Sequence, residues 1–259
     1  MLDKFKLFIQ FRLTHLIAGF TLLCFVFAFI SWQCQTARYF WKREQAALSE
    51  LPSPEHGYIV TRDLPVYYPL LRPWCRAEYF DRVSEFSLEY EYDSIDAEEQ
   101  MAALTMLTRL RSLKFVEPIA SDDNVRRLAS LQHLESLDLS GCEISANSLG
   151  FVSQLPSLKK VDVSYTNVGD KGVRQLITFS PRLEELRIGD VQLSEETVVA
   201  ISKMENLVEL DLSGTSTPVK TLEHLGKSAS LRRLYIYRTP LSEHDLSNLA
   251  TKLNFAITY

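Results

Sequence analysis

The chain has 259 residues, 46% of them apolar, and a formal net charge of −5, which is enough material for one long domain with a tail or for two small domains. The charge is uneven. Residues 1–43 hold Lys4, Lys6, Arg12, Arg38, Lys42 and Arg43 against Asp3, and residues 44–259 hold the other 22 basic and 32 acidic side chains, a formal −10; an acidic domain of this kind argues against nucleic acid as a partner, because neutralising phosphates takes a basic face.

The chain opens with a basic tail, residues 1–12. Residues 16–32 then read LIAGFTLLCFVFAFISW with no charge. Counted from Leu13, the stretch covers about 25–30 Å at 1.5 Å per residue, close to the thickness of a bilayer core. Trp32, Tyr39, Phe40 and Trp41 suit the interfacial belt where aromatic rings settle. The pattern predicts a single transmembrane helix over residues 13–33. A cleaved secretory signal is the competing reading; the length of the run, and the lack of a small-x-small site (Gln35-Thr36-Ala37 is nearest), favour the uncleaved anchor. Three basic residues stand on each side of the segment. Loop charge is therefore a tie, and only the short basic tail points to an extracytoplasmic position for the rest.

Residues 34–82 combine Pro52, Pro54, Gly57, Pro65, Pro69 and Pro73 with Tyr58, Tyr67, Tyr68, Trp74, Tyr79 and Phe80. Proline and glycine break regular structure, yet a flexible linker is rarely so aromatic. The stretch is expected to be a linker followed by a cap over the first unit of what comes next.

Residues 83–259 repeat one spacing. Leu134, Leu137 and Leu139 follow L-x-x-L-x-L, and so do Leu110-Leu113-Phe115, Leu158-Val161-Val163, Leu183-Leu186-Ile188, Leu207-Leu210-Leu212 and Leu231-Leu234-Ile236, at offsets of 24 or 25 residues. Val83, Phe86 and Leu88 form a less regular first copy. A fixed period in this range is the signature of a solenoid. A second column lies further along each copy: Val125, Leu149, Val173, Val198, Leu222 and Leu246. Three residues on stand Leu128, Val152, Leu176, Ile201, Leu225 and Leu249, and apolar residues three apart share a helix face. Each copy thus reads as strand, turn and short helix. Neither element buries its apolar side alone, so stacking must supply the core.

Helix starts are marked by Ser194 before Glu195 and Glu196, by Thr217 before Pro218 at the first helical position, by Ser242-x-x-Asp245 and by Asp96 to Glu99. The acidic run Glu89, Glu91, Asp93, Asp96, Glu98, Glu99 lacks the spaced acidic residues, glycine and distal glutamate of a calcium loop. The chain ends in Phe255-Ala-Ile257-Thr-Tyr, expected to be one more strand whose open edge offers unpaired backbone groups for self-association. Cys24, Cys34, Cys75 and Cys142 show neither C-x-x-C nor paired spacing, so no zinc site or disulfide framework is indicated. A Cys34–Cys75 bridge requires an oxidising compartment.

The segments LESLDLSGCEIS, LKKVDVSYTNVGDKGV, LEELRIGDVQLS, LVELDLSGTSTP and LRRLYIYRTPLS resemble leucine-rich-repeat proteins, over residues 83–259. Cys142, Thr166, Val191, Thr215 and Thr239 stand where asparagine is usual, which is similar to the cysteine/threonine-type repeats of bacterial proteins and of ubiquitin-ligase recognition subunits. With the anchor, the chain is similar to membrane-anchored bacterial repeat proteins. The resemblance implies an α/β horseshoe with a parallel concave sheet and convex helices. Val191 lacks the hydroxyl of its counterparts, so its turn is expected to be looser.

Side chains alternate along a strand. Those between the apolar columns therefore face out: Ser87, Lys114, Asp138, Asp162, Arg187, Asp211 and Tyr235 in the centre, with Val116, Ser140, Ser164, Gly189, Ser213 and Tyr237 beside them. Asp followed by Ser after the strand is also the repeat consensus and needs no ligand. Tyr235 and Tyr237 break that pattern and suit an interface hot spot. The candidate partner-binding residues are Asp162, Arg187, Asp211, Arg233, Tyr235 and Tyr237.

His15, His56, His133, His224 and His244 are scattered, and no H-E-x-x-H, G-x-S-x-G, Walker or dinucleotide fingerprint is present. The sequence therefore predicts no enzyme, no metal site and no cofactor. It predicts a membrane-anchored module that binds a protein through its concave face or open edge. The alternatives are an intracellular ubiquitin-ligase-type adaptor and a structural envelope component.

Overall fold

The computed structural model describes residues 2–50, 58–63, 82–88, 97–115 and 120–259, with side chains at residues 21, 24–49, 85–86, 101–115 and from 120 on. The chain divides into two units, Met1–Gln45 with Asp63–Arg82, and Ala46–Arg62 with Val83–Tyr259.

The first long element is helix α1, Leu2–Glu50. It carries the apolar run and leaves Phe25, Phe27, Phe29 and Trp32 exposed on its surface. Among the described residues no helix is long and apolar enough to cross a membrane. Much of the predicted span, residues 13–20 and 22–23, lies outside the described side chains. Cys34 is disulfide-bonded, whereas exposed Cys24 and buried Cys142 are free thiols. Cys75, the acidic residues at 89–96 and Tyr67, Tyr68, Trp74, Tyr79 and Phe80 of the expected cap lie outside the described residues.

Among the described residues nine strands form one sheet in strictly sequential order: β1 (Tyr58–Asp63), β2 (Arg82–Leu88), β3 (Ser112–Lys114), β4 (Ser136–Asp138), β5 (Lys160–Asp162), β6 (Glu185–Arg187), β7 (Glu209–Asp211), β8 (Arg233–Tyr235) and β9 (Ala256–Thr258). Strands β2 to β9 pair in parallel. Parallel neighbours need a return crossing, and a helix supplies it each time: α2 (Ala97–Thr105), α3 (Asp122–Arg127), α4 (Ala146–Val152), α5 (Gly169–Phe179), α6 (Glu195–Ser202), α7 (Val219–Leu222) and α8 (Glu243–Lys252).

The middle apolar residues pair in register from strand to strand: Phe86, Leu113, Leu137, Val161, Leu186, Leu210, Leu234 and Ile257. All but Ile257 are at most 1% exposed. The helix columns meet them from the other side, with Val125 and Leu128, Leu149 and Val152, Val173 and Leu176, and Val198 and Ile201 buried in the same cluster. The core is therefore a continuous ladder rather than a central nucleus. Each repeat's burial depends on the next one.

The helix starts behave as capping chemistry requires. Ser121, Ser145, Ser194 and Ser242 each accept a backbone N–H of the first turn, and Ser242 with Asp245 forms a full capping box. Pro218 stands at the N-cap itself, one place before the expected first helical position.

Candidate functional site

Each of the strands β3 to β8 buries its middle side chain and turns its last one outward, and the register lines these up. Lys114, Asp138, Asp162, Arg187, Asp211 and Tyr235 are consecutive cross-strand neighbours. Ion pairs run along the rows: Lys114–Asp138 at 3.5 Å, Lys160–Glu185 at 3.1 Å, Arg187–Glu185 at 2.6 Å, Arg187–Asp162 at 4.0 Å, and Arg233–Glu209. The aspartates also hold the backbone that follows them. Asp138 accepts the Ser140 N–H at 3.0 Å, Asp162 that of Ser164 at 2.9 Å, and Asp211 that of Ser213 at 2.8 Å. This local bond gives the Asp-x-Ser consensus a structural reason.

Burial pushes the Asp162 carboxyl above its ordinary value, and the charge of Asp138 acts in the same direction, against the bonds from Ser164 and the charge of Arg187. Among the described residues no cation pairs with Asp211 or with the exposed Asp190.

Of the six candidate residues, Asp162, Arg187, Asp211 and Tyr235 fall in one register column. Arg233, Tyr235 and Tyr237 follow one another along the outward side of a single segment. Arg187 lies two strands from Tyr235, with Asp211 between them. The rings of Tyr235 and Tyr237 stack with centroids 6.5 Å apart and planes 23° from parallel.

A further set stands where each strand turns. Gly141, Tyr165, Asp190, Gly214 and Arg238 occupy the same place in successive repeats, and all five have left-handed backbone, φ between 53° and 72°. The ladder holds four of them there. The N–H of Gly141 bonds Ser164 O, that of Tyr165 bonds Gly189 O, that of Asp190 bonds Ser213 O and that of Gly214 bonds Tyr237 O, at 2.7–2.9 Å. Glycine takes this conformation freely, whereas an L side chain is strained in it. At Gly214 a Cβ would also meet the Asp190 carboxylate. Yet tyrosine, aspartate and arginine fill three of the five places. The Arg238 guanidinium lies over the Tyr165 ring, 5.7 Å from its centroid, and donates to the Tyr165 hydroxyl. Sequence reasoning missed Tyr165, Asp190 and Arg238. The signal was their alignment, at the repeat period, with Gly141 and Gly214.

Among the described residues no group of three His, Cys, Asp or Glu side chains could hold a metal ion. A cavity of about 990 Å³ lies by α5 and α6 and is lined by residues such as Ile177, Pro181, Val199, Lys203 and Met204; its lining contains no histidine, cysteine or serine. Nothing there forms a nucleophile with an adjacent base. What the outward sheet face offers is a graded set of charges ending in two stacked rings, which is recognition chemistry.

Comparison with known proteins agrees with the repeat reading. The family model described as FBD-associated F-box protein At5g56370, LRR repeats, matches residues 71–225. A Trypanosoma equiperdum protein named "Putative adenylate cyclase regulatory protein" is 32% identical over 129 residues, 48% of this chain and 20% of that protein. Two Listeria monocytogenes crystal structures each cover 68% of this chain. One is an internalin (inlF), with TM-score 0.48, 20% identity and 47% of its own chain covered. The other is internalin C2, with TM-score 0.45, 18% identity and 80% covered. The chain thus spans one-fifth of the trypanosome protein and about half of the first internalin.

Proposed function

This chain belongs to the leucine-rich-repeat family, and from that premise we propose that it is a non-enzymatic protein-binding module, held at a membrane by its amino-terminal helix, that captures its partner on the outward face of the repeat sheet. The observation that carries the reading is the end of the charged register column in the stacked pair Tyr235 and Tyr237. Amphipathic rings beside charges are what interface centres use. Asp162, Arg187, Asp211 and Arg233 supply the surrounding charges. Replacing both tyrosines by alanine should reduce recovery of proximity-labelled partners from the native membrane at least tenfold, with the fold intact by circular dichroism. Unchanged recovery refutes this surface, and no enrichment of any partner by the unaltered protein favours a purely structural envelope role.

The anchor reading rests on the charge-free run at residues 16–32 and on the exposed Phe25, Phe27, Phe29 and Trp32. The disulfide at Cys34 supports an extracytoplasmic repeat domain, since cytosolic thiols stay reduced. Protease added to intact cells should then cleave the repeat domain. Full protection would put it on the cytoplasmic side.

A second reading is a substrate-recognition adaptor of the ubiquitin-ligase type. The matched F-box repeat family favours it, and the apolar run weighs against it. Protection from external protease together with recovery of ligase subunits would select it.

A further inference from the structure

Resting on the outward-face reading above, we propose that the carboxyl-terminal end of this face binds an arginine side chain presented by another protein, stacked on Tyr235 and Tyr237 and paired with the Asp211 carboxylate.

On the outward face Asp138, Asp162, Glu185 and Glu209 each have a cation within 4.0 Å. Asp211 has none among the described residues. One carboxylate oxygen holds the Ser213 N–H, which leaves the other for a ligand. Asp211 is the direct cross-strand neighbour of Tyr235, so a free carboxylate and an aromatic face stand side by side. Tyr237 extends that face and is 45% exposed. Next to it, Ser213 and Gly189 are small and buried, so nothing bulky fills the space before Arg187.

The turn column gives an independent argument. Tyr165, Asp190 and Arg238 keep side chains at left-handed positions that glycine fills in two sister repeats. Strain retained in this way points to a use for the side chains. Arg238 is drawn over the Tyr165 ring, which leaves the exposed Asp190 carboxylate as a second unpaired acid at the same rim. The surplus in the patch is therefore negative, in a domain whose residues 44–259 carry a formal −10.

A planar guanidinium fits this arrangement better than an ammonium. Its face stacks on a ring while its edge forks onto a carboxylate, and a lysine can do only one of these well.

The test uses the full chain in neutral detergent and dye-labelled tetra-arginine, tetra-lysine and tetra-citrulline peptides, read by fluorescence anisotropy. Tetra-arginine should bind at least about threefold more tightly than tetra-lysine, and its affinity should fall as salt rises. Tetra-citrulline, with the planar shape and no charge, should not bind. Asp211→Asn, which keeps the acceptor for Ser213, and Tyr235→Leu with Tyr237→Leu should each weaken tetra-arginine about fivefold or more. Tyr235→Phe with Tyr237→Phe keeps both rings and should bind as the unaltered chain does, which guards against a folding defect. Equal binding of lysine and arginine, or indifference to Asp211→Asn, overturns the proposal. A photoreactive benzoylphenylalanine at position 187 separates this failure from that of the parent reading. If it captures a protein in the native membrane while tetra-arginine does not bind, the face is a docking site for another chemistry. If it captures nothing, the face itself is the wrong surface.

Discussion

At Cys142, Thr166, Val191, Thr215 and Thr239 a single atom separates one repeat from the next. The hydroxyls of Thr166, Thr215 and Thr239 donate to the carbonyls of Val163, Leu212 and Ile236 at 2.6–2.9 Å. Val191 has only its backbone N–H to offer, bonded to Ile188 O at 3.3 Å. The looser turn expected there therefore amounts to one missing side-chain bond. Val191→Thr should restore it and raise stability by about 0.5–1.5 kcal/mol, the usual worth of an internal hydrogen bond; thermal unfolding checks this. The missing hydroxyl was legible because the residue type alone decides it. The left-handed backbone one residue before Thr166, Val191 and Thr239 was not, because tyrosine and arginine carry no local preference for that conformation and aspartate only a modest one. Ladder bonds from the neighbouring repeat hold Tyr165 and Asp190 there.

The helices are joined at their first turns by a device that spans repeats. Asp122 accepts the Ser145 N–H at 2.8 Å and the hydroxyls of Ser145 and Ser148 at 2.5 Å each. Asp170 accepts the Ser194 N–H at 2.8 Å and an Arg174 bond at 2.9 Å. Each carboxylate thus reaches from the first turn of its own helix to the start of the following one. Partial burial raises both groups, and the bonds outweigh it: those from Ser145 and Ser148 hold Asp122 below its ordinary value, and those from Thr197, Ser194 and Arg174 do the same for Asp170. A folded value below the unfolded one means that the unfolded chain takes up protons first. The stabilisation is therefore complete above the unfolded value and is lost as pH falls through the folded ones, on the acid side of about 3.8. Asp122→Asn with Asp170→Asn should flatten the loss of stability in that window, measured by denaturant titration across pH. Asp122→Ala should cost about 1–3 kcal/mol at neutral pH, since Ser148, fully buried, would lose its acceptor. The sequence marked helix starts correctly at Ser194 and Ser242. It did not reveal that Asp122 and Asp170 reach forward about one period to Ser145 and Ser194, because that depends on how far successive helices are offset.

For the repeat domain as a whole, the ladder geometry means that no residue contributes to its own repeat alone. Leu186 is fully buried and pairs in register with Val161 and Leu210. Leu186→Ala should destabilise by about 2–5 kcal/mol, a core cavity cost, and should loosen both neighbouring repeats; denaturant unfolding with local probes checks this. The architecture was the most legible part of the chain, since two apolar columns in one period leave little freedom. The outward face was legible only as a list of residues. Which acids had already found cations, and which had not, depends on lateral register. One contact departs from the neighbour-only rule. Arg238, in the turn after β8, meets Tyr165, in the turn after β5. Stacked repeats ordinarily fray one at a time from an end. A clasp across three of them makes the last units open together or stay shut. Amide protons of residues 209–211 and 233–235 should therefore exchange with deuterium at similar rates, and Arg238→Ala should let the outer segment exchange faster than the inner one.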